Sequence, residues 1–224
     1  MLYELEEVLV DDFKKHFFKR YNNKILITEM PIRWGNIDVL SITNNNIPFN
    51  RKQCEILAKK SNAMIFMKLN NNKPLTKDNI ISNIGLSKST FNVALNELIK
   101  NNLIVKKGNC YSRNINFSFP KVIISGYEAK LKDFKKAFFQ ANINKSYVDH
   151  SYLIFPLDTA IKIANKNEQL LNNSGIGLIG VDNKKTVVIV KARKQDKMKS
   201  YLRLMNIVTA HLINSKNKKA LLYN

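Results

Sequence analysis

A short β-like run, Ser125-Gly-Tyr-Glu-Ala-Lys130, constrains the fold of this 224-residue chain more than any other stretch. Successive side chains of a strand point to opposite faces, so Glu128 and Lys130 share one face while Tyr127 and Ala129 share the other. An acid and an amine therefore lie side by side on one strand. Alternating charges are also common on exposed strands, and that alternative stays open for this run alone.

Two more strands are predicted upstream, over residues 24–32 and 37–43, joined by the turn-forming segment Arg33-Trp-Gly-Asn36. Asp38 is the only charged residue inside the second strand. Such a carboxylate is costly to bury unless a partner or a metal ion uses it. The pattern therefore marks Asp38 as a second candidate site residue.

Helices are predicted on both sides of these strands. Residues 3–21 form the first helix, and Glu6 lies within its apolar stripe. The stripe consists of Leu2, Leu5, Leu9, Phe13 and Phe17. Residues 131–141 form the second helix, with Gln140 flanking its apolar face and able to reach toward the end of the strand that carries Glu128. Acids near a helix N terminus also favour the helix dipole, which gives Glu6 an alternative role.

This arrangement resembles the PD-(D/E)xK nuclease superfamily. The similar positions are Asp38 after a hairpin, Glu128-Ala129-Lys130 in the next core strand, and Gln140 on the following helix. The resemblance implies an α/β (α+β) fold with a restriction-endonuclease-like core, in which a central mixed sheet is flanked by helices. The chain departs from the family pattern at Ile37, where the family name implies proline, and in the 90 positions from Asp38 to Glu128.

The same resemblance implies a metal-dependent site that hydrolyses phosphodiester bonds. One or two Mg²⁺ or Mn²⁺ ions would be held by oxygen ligands. The implied ligands are Asp38, Glu128, the carbonyl of Ala129, and Glu6, with Glu7 as the alternative to Glu6. Lys130 would orient or deprotonate the attacking water and stabilise the transition state, and Gln140 would position a carboxylate, a water or a phosphate.

The long separation between Asp38 and Glu128 contains a second pattern. A helix is predicted from residue 51 to about 68, then Thr76 and Ser87 can cap two short helices with Gly85 at the turn between them. A hairpin around residues 108–109 follows. This order resembles a winged helix over residues 51–117, which leaves residues 1–50 and 118–224 as a discontinuous nuclease-like domain.

The winged-helix resemblance implies a surface that binds duplex DNA. The second helix leaves a set of polar residues outside for base edges, namely Lys88, Ser89, Thr90, Asn92 and Asn96. Lys106, Lys107 and Arg113 of the wing would contact phosphates. Winged helices also serve as protein-interaction modules, but the formal charge of +20 favours a nucleic-acid partner.

Composition excludes several other classes. Two cysteines are too few for a disulfide scaffold, and three histidines give no zinc-like cluster. No apolar run approaches membrane length and the N terminus is too acidic for a signal peptide, so we expect a cytoplasmic protein without a membrane partner. The last helix, near residues 197–215, carries an apolar stripe that predicts packing on its own domain or a homodimer.

Three functions are compatible with these patterns. The first is a metal-dependent DNA endonuclease with its own winged helix. The second is a winged-helix regulator, or a replication or mobile-element accessory protein, built on an inactive nuclease-like scaffold. The third is a protein-interaction subunit of a DNA-processing assembly. Asp38, Glu128 and Lys130 favour the first, because a scaffold has no physical need for three convergent charges.

Overall fold

The computed structural model describes residues 3–21, 23–32, 35–43, 46–196 and 198–220, with side chains described as far as residue 214. Its contacts divide the chain into two units. The first unit combines residues 1–44 and 122–198, and the second combines residues 45–121 and 199–224. None of the helices in these described ranges has the length and apolar character needed to cross a bilayer.

Helices and strands alternate irregularly along the chain. The helices are α1 (Glu6–Arg20), α2 (Arg51–Leu57), α3 (Lys60–Lys68), α4 (Lys77–Ser82), α5 (Lys88–Lys100), α6 (Phe134–Asn144), α7 (Leu157–Ser174) and α8 (Ser200–Ala220). The strands are β1 (Lys24–Ile32), β2 (Gly35–Thr43), β3 (Leu75–Thr76), β4 (Ile104–Lys107), β5 (Cys110–Arg113), β6 (Ile124–Ala129), β7 (His150–Pro156), β8 (Gly177–Val181) and β9 (Thr186–Val190).

The first unit is built on a six-stranded mixed sheet in the order β1-β2-β6-β7-β8-β9. The strands β1, β2 and β6 pair antiparallel, β6, β7 and β8 pair parallel, and β9 returns antiparallel to β8. Helices pack on the sheet, so the predicted α+β class with a central mixed sheet flanked by helices is confirmed. The turn residues Arg33 and Trp34 lie outside the described residues.

Helix α1 covers one face of this sheet. Its residues Leu9, Phe13 and Phe17 are buried with Tyr127 and other apolar side chains of the central strands. The helix begins at Glu6, later than predicted, because the backbone of Leu5 is extended and its side chain is 60% exposed. The predicted stripe is therefore shorter, and its first member, Leu2, lies outside the described residues.

Helices α6 and α7 cover the opposite face. Ala137 and Ala141 of α6 are buried against Leu153 and Phe155 of β7. The neighbouring residue Ile154 belongs to the cluster under α1, as strand alternation requires. Strand β6 is therefore enclosed on both faces, which explains why each of its six residues is buried.

The second unit contains a helix-turn-helix followed by a hairpin. As predicted, Thr76 and Ser87 accept hydrogen bonds at the N termini of α4 and α5, and Gly85 adopts the positive φ of +62° that the turn requires. The apolar face predicted for α5 is buried and consists of Phe91, Ala94, Leu95 and Leu98. The single helix predicted over residues 51–68 is instead two helices, because the extended backbone of Lys59 ends one and starts the other.

Helix α8 differs from the predicted domain boundary. The nuclease-like domain predicted over residues 118–224 includes α8, but α8 packs against α2 and α3 in the second unit. Leu204 and Val208 are buried there, because the apolar stripe of α8 completes the core around Phe66. The apolar stripe of α8 therefore packs inside the second unit, and the homodimer stays a prediction.

Candidate functional site

Strand register brings Asp38 and Glu128 to the same place. In the antiparallel pair β2 and β6, Val39 lies opposite Tyr127. One step further along this register, Asp38 faces Glu128 on the other side of the sheet from Val39 and Tyr127. Lys130 follows directly after β6 ends, so the two acids and the amine meet at one end of this strand pair.

The ammonium group of Lys130 lies at the centre of this site. Its Nζ donates hydrogen bonds to the carbonyl of Ala129 at 2.7 Å and to Oε2 of Glu6 at 3.0 Å. It also lies 3.7 Å from Oδ2 of Asp38 and 3.7 Å from Oε1 of Glu128. Lys130 is only 8% exposed. Three carboxylates on three elements therefore surround one nearly buried cation.

The two strand carboxylates are held differently. Oδ2 of Asp38 accepts a hydrogen bond from the backbone N–H of Ala129 at 2.8 Å, which ties β2 to the end of β6. Glu128 is fully buried, and its Oε2 accepts a hydrogen bond from Nδ2 of Asn144 at 3.2 Å. Within the described residues, Oε1 of Glu128 accepts no hydrogen bond. This oxygen is an open acceptor beside Lys130.

The electrostatics of the site follow from burial and crowding. Burial, reinforced by the neighbouring charge of Asp38, raises the pKa of Glu128 to about 8. Burial also raises the pKa of Asp38, although the N–H of Ala129 and the charge of Lys130 oppose this shift. Burial disfavours the charged form of Lys130, but the surrounding carboxylates, Asp38 first, outweigh it and raise its pKa. Ionising both strand acids together is therefore unfavourable, even beside the Lys130 ammonium.

A cleft of about 410 Å³ opens beside Asp38 and Ala129. Five acidic side chains line it, namely Glu6, Glu7, Asp11, Glu29 and Asp38, and Lys14 is the one basic side chain among its described lining residues. Lys14 already pairs with Asp11 at 2.6 Å. A phosphate entering this cleft would meet repulsion unless cations neutralise the acids first.

The donor set has the right chemistry for a hard cation, because carboxylate and carbonyl oxygens are the ligands that Mg²⁺ and Mn²⁺ prefer. The oxygens of Asp38, Glu128, Ala129 and Glu6 all lie within 3.7 Å of the Lys130 ammonium. In the described parts of the chain, no group of three or more His, Cys, Asp or Glu side chains is arranged to hold a metal ion. The Mg²⁺ or Mn²⁺ ion stays a prediction.

Helix α6 contributes Asn144 to the site in place of the predicted Gln140. No described hydrogen bond joins Gln140 to the site, and its buried Oε1 has no partner among the described residues. Asn144 lies one turn further along and is 2% exposed. The spacing of Ala137, Ala141 and Asn144 on one helical face is the sequence signal that would have identified it.

The predicted recognition helix exposes the expected polar side chains. These are Lys88, Ser89, Thr90, Asn92 and Asn96. Oγ of Ser87 accepts a hydrogen bond from the backbone N–H of Thr90 at 3.2 Å and fixes the first turn of α5. Lys106 and Lys107 are also exposed, at the end of β4.

Arg113 does not share this exposed position, which corrects its predicted role as a phosphate contact. Its guanidinium donates hydrogen bonds to the carbonyl oxygens of Phe66 at 2.8 Å and Phe117 at 3.1 Å. It also lies 4.8 Å from the centre of the Phe66 ring. Burial lowers the pKa of Arg113. The residue joins α3 to the wing inside the second unit.

Comparisons with known proteins leave the chemistry to be argued from these residues. No protein-family model matches the chain, and no curated protein matches it. Among solved structures, it is similar to a protein of unknown function from Silicibacter pomeroyi, with 12% sequence identity and a TM-score of 0.44. That match covers 95% of this chain and 88% of the other chain.

Proposed function

We propose that this protein is a metal-dependent DNA endonuclease that hydrolyses phosphodiester bonds and binds duplex DNA through its winged-helix unit. The observation that carries the proposal is the meeting of Asp38, Glu128 and Lys130 at one end of the β2–β6 pair, with Glu6 beside them. The PD-(D/E)xK resemblance implies the same residues. The order α1, β1, β2, β6, α6, β7 also agrees with the helix, three strands, helix, strand core that the resemblance implies.

In this proposal the carboxylates of Asp38 and Glu128, the carbonyl of Ala129 and the carboxylate of Glu6 hold Mg²⁺ or Mn²⁺. Such an ion, held there, would supply Lewis-acid chemistry toward the phosphate and the attacking water. Asp38 and Glu128 bind it in their ionised forms. The acidity of the cleft explains why cleavage requires a cation, since a bare phosphate would be repelled there.

Lys130 is the residue that acts on the reacting groups. Its hydrogen bonds to Ala129 and Glu6 hold the ammonium at a fixed point beside the carboxylates. From that point it orients the attacking water and stabilises negative charge on the phosphate in the transition state. Asn144 positions Glu128 through its hydrogen bond to Oε2 and leaves Oε1 available as a ligand.

The net charge of +20 and the exposed side chains of α5 and β4 support DNA as the substrate. The polar residues at the start of α5 are suited to base edges, and Lys106 and Lys107 are suited to phosphates. The acidic cleft and the basic surface thus have separate roles, the first in chemistry and the second in binding.

One observation favours a second candidate, a winged-helix regulator or accessory protein on an inactive scaffold. In the described residues the ammonium of Lys130 already compensates Glu6, Asp38 and Glu128, and no ready-made metal group is present. A cluster of this kind can serve stability alone. The two candidates therefore differ in whether a divalent cation enters the site.

The test is incubation of the purified protein with supercoiled plasmid and Mg²⁺ or Mn²⁺, beside a chelator control. Asp38→Ala and Lys130→Ala are expected to abolish nicking and linearisation while retaining DNA binding. Glu168→Gln, an exposed acid on α7, removes the same charge as Asp38→Ala and should cut like the parent. Equal cleavage by Asp38→Ala would refute the site. Tight binding without cleavage of plasmid, linear or branched DNA would favour the second candidate.

A further inference from the structure

The first unit contains a second cavity, on the sheet face that α1 covers. Its volume is about 330 Å³, within the range of about 300–1,000 Å³ that small-molecule sites occupy. Aromatic rings form much of its wall, contributed by Phe13, Phe17, Tyr21, Tyr127 and Tyr152. None of its described lining residues lines the acidic cleft beside Asp38. The cavity is therefore a separate place in the same unit.

Three neighbouring strands build a flat aromatic floor for this cavity. Tyr127 of β6 is in register with Tyr152 of β7, which is in register with Gly177 of β8. The two tyrosine rings are nearly parallel, at 17°, with centroids 5.5 Å apart. A Cβ on Gly177 would lie 2.3 Å from the ring of Tyr152, so the absence of a side chain there lets this ring lie over β8. Tyr152 is half-buried, which leaves part of its ring to a ligand.

A lysine without an acidic partner among the described residues lies beside two other aromatic rings of the cavity wall. Nζ of Lys24 is 4.6 Å from the ring centre of Tyr21 and 5.5 Å from that of Phe17. Within the described residues, no carboxylate forms an ion pair with it. Burial lowers the pKa of Lys24, so its positive charge lacks compensation from the protein. An anion next to Lys24 would compensate this charge and favour the charged form.

The exposed lining residues add further positive charge. They are Lys19 and Arg20 at the end of α1 and Lys184 and Lys185 in the turn between β8 and β9. Among the described residues that line the cavity, none is Asp or Glu. Asp182 in the same turn accepts hydrogen bonds from the backbone N–H groups of Lys184 and Lys185. The two lysine side chains thus extend from a fixed turn.

We propose that this cavity binds a planar aromatic ring that carries a phosphate, which is the chemistry of a nucleotide. The ring stacks on Tyr152, and the phosphate lies near Lys24 and the exposed basic side chains. Stacking on an aromatic side chain tolerates any base, while the cations select the phosphate. A free nucleotide and the phosphorylated end of a nucleic-acid strand both present this chemistry. The proposal holds whether or not the protein cleaves DNA.

The test is calorimetric titration of the full chain with adenosine monophosphate, uridine monophosphate, adenosine and inorganic phosphate, with chelator present so that no cleavage occurs. Both nucleotides are expected to bind at least about tenfold more tightly than adenosine or phosphate alone, because ring and phosphate each contribute. Tyr152→Leu should weaken nucleotide binding by about tenfold or more, whereas Tyr152→Phe keeps the ring and should bind like the parent.

Charge variants separate the two halves of the ligand. Lys24→Gln should weaken the nucleotides but leave adenosine unchanged, and Lys162→Gln, the same change at an exposed position on α7, should alter neither. The proposal would be overturned if inorganic phosphate bound as tightly as the nucleotides, or if Tyr152→Leu bound the nucleotides as tightly as the parent does. It would also be overturned if neither a nucleotide nor a phosphorylated strand end bound. A phosphorylated oligonucleotide can bind in place of a free nucleotide. If it binds more tightly than its unphosphorylated form, and if Tyr152→Leu abolishes this binding, the proposal is supported and the strand end is identified as the source of the ligand.

Discussion

Nδ2 of Asn144 donates a hydrogen bond to Oε2 of Glu128 over 3.2 Å, in a part of the first unit where both side chains are buried. The other oxygen of Glu128 is 3.7 Å from the ammonium of Lys130. An amide on α6 and an amine after β6 therefore hold the two oxygens of one carboxyl group in place. This arrangement makes Asn144 part of the site although it touches none of the other carboxylates through a described hydrogen bond.

Asn144→Ala is expected to destabilise the protein by about 1–3 kcal/mol, because a buried acceptor loses its donor. The loss should be larger near pH 9 than near pH 6, since the pKa of Glu128 is about 8 and the ionised form needs the donor more. Urea unfolding at the two pH values measures both effects. Asn142→Ala, which removes an amide bonded to the carbonyl of Phe138 on the same helix, should cost less and equally at both.

Glu128→Gln should change how stability depends on pH. The folded pKa of about 8 exceeds the ordinary value of 4.5, so the stability this group contributes is fully present below about pH 4.5 and is lost as pH rises through about 8. A glutamine does not titrate, so the free energy of unfolding of Glu128→Gln should rise relative to that of the parent as the pH increases across this range. The full gain is on the order of 5 kcal/mol, since the folded pKa of about 8 lies well above 4.5 and one pKa unit corresponds to about 1.4 kcal/mol.

Thermal unfolding without divalent cations, followed from acid to mildly alkaline pH, tests this expectation. Glu168→Gln, the same change at an exposed position on α7, is the matched control. A difference between Glu128→Gln and the parent that stays constant across the range would mean that Glu128 keeps an ordinary pKa in the folded protein.

Lys130→Met should destabilise the protein by roughly 3–5 kcal/mol near pH 9, above the pKa of about 8 of Glu128, because it leaves buried ionised carboxylates without their cation. The double variant with Glu128→Gln should cost less than the sum of the two single changes, since one of those carboxylates is then neutral. A double-mutant cycle in urea measures the coupling. If the effects of the two changes on the free energy of unfolding were strictly additive, the 3.7 Å contact between Lys130 and Glu128 would contribute nothing to stability.

Local pattern was sufficient for much of the fold and for the choice of candidate side chains. Strand alternation and the isolated charge marked Asp38, Glu128 and Lys130, whereas their meeting depends on the long-range pairing of β2 with β6, which only the PD-(D/E)xK resemblance implied. Capping by Ser87 and the buried face of α5 were set by neighbouring residues. For the cap and for the buried face of α5, the determinants lie within a few positions of one another.

The features that the sequence did not predict depend on partners that lie far apart in sequence. Periodicity gives the apolar face of α8 but not the core that accepts it, and it leaves open whether Gln140 or Asn144 of α6 points at β6. Arg113 was expected on the surface because of its charge. Two of the carbonyls that bind it, those of Phe66 and Met67, lie 46–47 positions away on α3, and no local rule anticipates them.

The wing lysines and Arg113 should respond differently to the loss of their charge. Lys106→Gln with Lys107→Gln should weaken binding to duplex DNA and reduce the salt dependence by about 0.9 per lost phosphate contact. Arg113→Gln should instead lower stability to urea, because the carbonyls of Phe66 and Phe117 lose their donors, and should leave the salt slope of the folded protein unchanged. Fluorescence anisotropy over a salt series distinguishes the variants. If Arg113→Gln reduced the dependence of DNA affinity on salt, Arg113 would be a phosphate contact after all.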